Sequence, residues 1–123
     1  MVEPLCAIVV GAGFSGLCAG IELRRAGIED FVILEKADRV GGTWRDNVYP
    51  GAACDIPSHL YSYSFEPNPR WSRTYSPQSE ILDYLRHCAD KYHGQQRRDQ
   101  HPPRDALAAH APPHSRDCKA VAR

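Results

Sequence analysis

The sequence predicts an α/β fold that opens with a β-strand, an α-helix and a second, parallel β-strand. Two short apolar runs, residues 7–10 and 31–34, have the composition of strands buried in a parallel sheet. Residues 15–26 between them have the periodicity of a crossover helix, and Gly27 stands where the glycine after a helix belongs. The apolar side of that helix consists of Leu17, Gly20, Ile21 and Leu23.

Three glycines at G-x-G-x-x-G spacing join the first strand to the helix. Gly11 permits the tight turn, Gly13 lets a pyrophosphate approach the backbone, and Gly16 allows close packing of helix on strand. The free N–H groups and the dipole of the first helical turn favour an anion. The pattern indicates a dinucleotide site in a Rossmann-like unit, although an α/β turn without a ligand can carry the same glycines.

A carboxylate ends the second strand. Glu35 follows Gly16 by 19 residues, the interval at which an acidic residue accepts hydrogen bonds from an adenosine ribose. The same charge repels a 2′-phosphate, so the site favours FAD or NAD over NADP. Six residues later, Gly41 and Gly42 allow a second close approach of backbone to ligand, or form a simple turn. Because they lie beside the predicted ribose-binding end of the fold, the ligand-binding interpretation is favoured over the simple turn.

The rest of the first 93 residues is predicted to contain a long ordered loop and one helix. Residues 45–65 are too irregular for a plain connection, and the aromatic-rich run 60–65 is predicted to be a short edge strand or an extended packing segment. Ser76 and Pro77 are predicted to open a helix that ends near residue 92, as N-cap and first helical residue. Its apolar stripe contains Ile81, Leu82, Leu85, Cys88, Ala89 and Tyr92.

Composition divides the 123 residues into two parts. Residues 1–93 carry nine Lys and Arg against twelve Asp and Glu, whereas residues 94–123 carry six against three. The second part has no aromatic residue and few large aliphatics, so we expect a disordered or non-homologous tail. Neither zinc-ligand spacing nor a basic, aromatic-interleaved surface occurs there, so we expect no metal and no nucleic-acid partner.

The chain is long enough for one domain at most. Its five cysteines show no C-x-x-C pattern, its first residues do not form a signal peptide, and no apolar run approaches the ~20 residues of a membrane span. These observations predict a cytoplasmic protein.

Three segments together resemble a known family. Residues 11–16 with Glu35, then residues 39–44 (Arg-Val-Gly-Gly-Thr-Trp), then residues 49–65 (beginning Tyr-Pro-Gly-Ala-Ala-Cys-Asp) are similar to the N-terminal part of class B flavoprotein monooxygenases. The match is closest to the Baeyer–Villiger and 4-hydroxyacetophenone-monooxygenase-like type, and it covers roughly residues 5–92. Joining Gly-Gly-Thr-Trp to the Tyr-Pro-Gly-Ala…Cys-Asp segment is the specific feature, since many flavoproteins share the first motif.

The resemblance implies FAD as cofactor, NADPH as co-substrate and dioxygen as oxidant. The substrate would be a ketone, or a compound with a soft heteroatom. Asp55 would match the family's aspartate near the flavin ring, a catalytic role, although a loop aspartate that caps a turn is the alternative. By position, the FAD-binding residues would be Gly11, Gly13, Phe14, Ser15, Gly16, Glu35, Lys36, Arg39, Gly41, Gly42, Thr43, Trp44 and Asp55.

The sequence departs from the family in what it lacks. Family members carry a second G-x-G-x-x-G motif for NADPH, but the only glycine after Gly51 is Gly94. The resemblance therefore predicts a truncated FAD-binding portion, inactive as this chain alone, or a non-catalytic fragment. In either case we expect a sheet with an unpaired edge and exposed apolar faces.

Overall fold

The structure is a computed structural model that describes residues 5–93; the tail predicted for residues 94–123 lies outside the described residues. The described part is α/β, as predicted, and forms a partial Rossmann-like unit. Its elements are β1 (Ala7–Val10), α1 (Phe14–Arg25), β2 (Phe31–Leu34), α2 (Thr43–Asp46), a 3₁₀ turn (Ser58–Leu60) and α3 (Gln78–His93).

The two strands form a parallel pair whose bounds match the prediction. Ala7 lies opposite Phe31, and the register continues without a bulge to Val10 opposite Leu34. α1 makes the crossover and begins one residue earlier than expected. Gly27 follows the helix with φ +78°, which confirms its assignment as the glycine after the C-terminus.

The core lies on one face of this sheet. Phe31 and Ile33 of β2 point into it and are at most 4% exposed, and Leu17 and Ile21 of α1 cover them. α3 closes the core from the far side of α1 with five buried apolar residues from the predicted stripe, joined by Tyr84, which the prediction omitted. These five are Ile81, Leu82, Leu85, Cys88 and Ala89.

The opposite face of the sheet is open within residues 5–93. Ile8 is 59% exposed, Val10 84% and Leu34 44%, and no further strand of the described chain pairs with β1 or β2. The expectation of unpaired edges and exposed apolar side chains is therefore confirmed for this part of the chain.

The structure decides between the two alternatives for residues 60–65 and corrects the start of α3. The run 60–65 contains no edge strand, since a 3₁₀ turn ends at Leu60 and Tyr63 makes only an isolated bridge to Glu66. The aromatic rings pack into the core instead, which was the other alternative. Ser76 is not the N-cap of α3 and Pro77 is not its first residue, because the helix begins at Gln78 and the Ser76 hydroxyl accepts from Ser58.

Glu66 ties the end of the aromatic segment to the last turns of α3. Its Oε2 accepts from Lys91 Nζ at 2.6 Å and from the Tyr92 hydroxyl at 2.7 Å, and its Oε1 lies 3.3 Å from His87 Nε2. The carboxylate is 15% exposed. The hydrogen bonds from Lys91 and then Tyr92 lower the pKa of Glu66 to about 2.

We expect this carboxylate to make the protein sensitive to acid. A folded pKa of about 2, below the ordinary 4.5, means that the stabilisation is complete above pH 4.5 and is lost as pH falls toward 2. Because Lys91 is half exposed, the loss should be about 2 kcal/mol rather than the full electrostatic value. Urea unfolding from pH 7 to pH 2 measures it.

Glu66→Gln should remove that part of the acid dependence. Asp83→Asn is the control, because Asp83 pairs with Arg86 on the exposed side of α3, the helix that Glu66 contacts. A Glu66→Gln protein whose stability still falls as steeply as wild type between pH 4.5 and pH 2 would contradict the assignment.

Candidate functional site

A pocket of about 350 Å³ lies where the first glycine turn meets the second. The end of β1 and the first turn of α1 form one wall, and the start of α2 forms the other. Its lining residues are Val10, Gly11, Gly13, Phe14, Ser15, Gly16, Gly41, Gly42, Thr43, Trp44 and Tyr61.

The two glycine turns touch through their backbones. A Cβ on Gly42 would lie 3.1 Å from the Cα of Gly13, a tight contact, whereas a Cβ on Gly13 would meet the Cα of Gly42 at an ordinary 3.6 Å. Gly41 and Gly42 have φ of +134° and +51°, and the N–H of Gly41 donates to the carbonyl of Ala12 at 2.9 Å. The two glycine turns at which the backbone was predicted to approach a ligand therefore line the same pocket.

The first turn of α1 presents unpaired N–H groups to this pocket. Gly13 is the N-cap and no side chain caps the helix. The first intrahelical bond runs from Leu17 N–H to the Gly13 carbonyl at 3.0 Å, so the amides of residues 13–16 have no partner within the helix. With the positive end of the helix dipole, these groups suit a bound anion.

Glu35 lies at the end of β2 and is 8% exposed. Its Oε2 accepts from Ala12 N–H at 2.7 Å, its Oε1 accepts from Ala37 N–H at 3.0 Å, and Arg45 Nη1 lies 3.3 Å from Oε1. Burial alone would raise the pKa of Glu35, but the two backbone hydrogen bonds and the guanidinium lower it below its ordinary value. The carboxylate is therefore negative at neutral pH.

An aromatic wall closes the pocket on the side away from the strands. Trp44 Nε1 donates to the Tyr61 hydroxyl at 3.0 Å, and the ring of Tyr61 meets those of Phe14 and Trp44 edge to face. Gln78 at the start of α3 donates to the Trp44 carbonyl and so connects the wall to the core. Tyr61 was not predicted as a site residue, since the aromatic run 60–65 indicated an edge strand or a packing segment and not a pocket wall.

Comparison with known proteins agrees with this arrangement. Residues 9–77, more than half of the chain, match the family of NAD(P)-binding Rossmann-like domains. The chain belongs to this family. The match contains both glycine turns, β2 and every residue that lines the pocket.

The named relatives include monooxygenases, one of which is described as FAD-binding. The Rossmann-like chain is 64% identical over 90 residues to a Baeyer–Villiger monooxygenase of Streptomyces coelicolor, covering 73% of this chain and 17% of the relative. It is 50% identical to an FAD-binding monooxygenase of Aspergillus niger, covering 69% of this chain and 14% of the relative. The predicted resemblance to flavoprotein monooxygenases is confirmed.

A solved structure extends the similarity to three dimensions. An oxidised steroid monooxygenase bound to NADP superposes with a TM-score of 0.65 at 47% identity, covering 69% of this chain and 17% of that structure. The chain thus spans about one sixth of the length of the proteins it matches. Their complete activities involve much more polypeptide than the Rossmann-like segment described.

Most predicted site residues line the pocket of this Rossmann-like domain, and Glu35 is buried beside it without lining it, but three others neither line the pocket nor are buried. Lys36 and Arg39 lie exposed on the loop after β2, where Arg39 pairs with Asp38. Asp55 is exposed in the long loop and makes none of the pocket contacts described above. The predicted roles of all three stay predictions.

Two further features concern the described residues only. Each helix within residues 5–93 is too short or too polar to cross a membrane. In the same range, no group of three or more His, Cys, Asp and Glu side chains is placed to hold a metal ion.

Proposed function

We propose that the described residues bind the ADP half of FAD, as the FAD-binding portion of an NADPH- and O₂-dependent flavin monooxygenase. The observation that carries the proposal is the pocket itself, where two glycine turns and free helix N–H groups surround one space. The buried Glu35 carboxylate accepts from the N–H of Ala12 in the first of these turns. The identity with flavin monooxygenases supports FAD over other dinucleotides.

The donor groups fit the parts of the ligand. The pyrophosphate would accept from the N–H groups at the start of α1, where Gly13 has no side chain to keep it away. The adenosine ribose would donate a hydroxyl to Glu35, whose negative charge disfavours a 2′-phosphate. Gly42, Thr43 and Trp44 would lie along the ligand on the opposite wall.

When bound, the flavin would accept a hydride from NADPH and activate dioxygen. The residues of this chain bind and orient it, and they hold the adenosine end out of water. The small-molecule substrate, a ketone or a soft heteroatom compound, would be met by other parts of the enzyme. Asp55, Lys36 and Arg39 would act from the exposed loops on either side, Asp55 next to the flavin ring.

A non-catalytic fragment is the second candidate. No second glycine motif occurs in the 123 residues, so NADPH has no predicted site of its own here. We infer that residues 1–93 contribute the FAD half-domain and that this chain alone does not oxidise NADPH.

We expect the purified chain to bind FAD without turning over NADPH. Binding should quench flavin fluorescence and shift the visible spectrum, whereas NADPH oxidation in air should equal that of free FAD. FMN is the matched control ligand, since it lacks the ADP that the pocket would hold. A folded chain that binds neither FAD nor ADP would contradict the proposed site, and FAD-dependent NADPH oxidation would contradict the non-catalytic candidate.

A further inference from the structure

Arg45 is a mostly buried arginine whose role neither of the two glycine motifs explains. It lies in α2, and its side chain is only 12% exposed. The path of its stem depends on Gly41, because a Cβ there would lie 2.8 Å from the Cβ of Arg45 and 2.6 Å from Leu82 Cδ1. The second glycine pair thus makes room for a cation as well as for a ligand.

The guanidinium connects three groups around the ribose end of the pocket. Nη1 donates to the Arg39 carbonyl at 2.7 Å and lies 3.3 Å from Glu35 Oε1. Nε and Nη2 donate to the two carboxylate oxygens of Asp46 at 2.8 and 3.1 Å. Asp46 is 56% exposed and the Glu35 side chain 5%, so Glu35 is the buried partner.

The two carboxylate oxygens of Glu35 have different numbers of hydrogen-bond donors. Oε1 faces Ala37 N–H and Arg45, which together occupy both of its lone pairs. Oε2 accepts only from Ala12 N–H and keeps one lone pair for a further donor. Rotation of the carboxylate would exchange the two oxygens, and the fixed guanidinium opposes that rotation.

We propose that Arg45 is a positioning residue that holds Glu35 ionised and oriented with Oε2 toward the ribose hydroxyl. The inference rests on the proposed FAD site and deepens it. Arg45 contacts no part of the pocket lining beyond the second glycine turn, so it acts through Glu35 and not on the ligand. Arg39 contributes only its backbone carbonyl to this arrangement.

The charged groups near Glu35 make the inference testable by pH. They are Arg45, Asp46 and Lys36; Arg45 is the cation that pairs with Glu35, while Asp46 and Lys36 are exposed. Without Arg45, the burial of Glu35 would be opposed by backbone N–H groups alone. Protonation would place a hydrogen on the carboxyl group and weaken the acceptor that the ribose needs.

The test compares Arg45→Met and Arg45→Lys in the full chain, with Arg86→Met as control. Arg86 is also paired with an aspartate but lies on the exposed side of α3. Carbon-detected NMR of the ligand-free protein follows the Glu35 carboxyl. Arg45→Met should raise its titration midpoint by about one pH unit, Arg45→Lys should recover part of that shift, and Arg86→Met should leave it unchanged.

FAD affinity provides the second measurement. Arg45→Met should weaken binding about tenfold at pH 7 and more at pH 5, whereas loss of packing alone would weaken it equally at both pH values. An unmoved Glu35 midpoint overturns the inference even if FAD binds. Failure of the wild type to bind FAD overturns the proposed site instead, and the ligand-free titration still decides whether Arg45 holds Glu35.

A wild-type measurement covers the case in which Arg45→Met does not fold. The side-chain N–H signals of Arg45 should exchange slowly with water and shift at the pH where Glu35 titrates. Arg45 signals that behave like those of the exposed Arg86 would overturn the inference.

Discussion

Gly16→Ala should remove most of the stability of the described fold. A Cβ at this position would lie 1.8 Å from the carbonyl oxygen of Gly11 and 2.8 Å from its carbonyl carbon. Both atoms are backbone, so relief requires α1 to move away from the end of β1, and Leu17 and Ile21 would leave the core with it. We expect a loss of about 3 kcal/mol or more, measured by denaturant unfolding.

Gly13→Ala is the matched control in the same turn. Gly13 has φ −84°, which alanine adopts without strain, and its Cβ would meet Gly42 at an ordinary 3.6 Å. The stability should change by less than about 1 kcal/mol, while FAD binding should weaken because the methyl group enters the pocket. Equal destabilisation by the two alanines would contradict the steric distinction between these glycines.

The sequence predicted the parts of this fold whose signals are local. β1 and β2 have the predicted bounds because each is a short apolar run followed by residues that favour a turn. Gly27 was predicted correctly because a glycine after a helix typically adopts the left-handed conformation that ends it. The glycine spacing predicted the close approach of the two turns in the same way, and the pocket lies there. The structure brings these residues together because both turns follow the carboxyl ends of neighbouring parallel strands.

The parts that sequence missed depend on contacts between distant residues. Ser76 has the composition of a helix cap, but Ser58 is within hydrogen-bond distance and occupies its hydroxyl. Tyr61 lies in an aromatic run typical of a strand, and only the position of Trp44 makes it part of the pocket wall. No motif in the sequence singles out Arg45, since nothing in its sequence neighbourhood indicates that Gly41 opens a path to Glu35.

Glu35→Gln should be the second most damaging change, although it preserves the shape of the side chain. The carboxylate offers two oxygens to three donors, Ala12 N–H, Ala37 N–H and Arg45. Glutamine offers one oxygen, so its amide group must face a donor, and the buried guanidinium loses its charged partner. We expect a loss of about 2 kcal/mol in unfolding free energy at pH 7, together with weaker FAD binding.

The pH dependence separates this electrostatic cause from simple misfit. The pKa of Glu35 is lower in the folded protein than its ordinary value, so its charge stabilises the fold above that value and less as pH falls through the folded pKa. The difference between wild type and Glu35→Gln should therefore be largest at neutral pH and shrink in acid. Glu29→Gln, which replaces an exposed carboxylate just before β2, is the control. A Glu35→Gln penalty that is constant with pH would mean that shape, and not charge, keeps this residue at the end of β2.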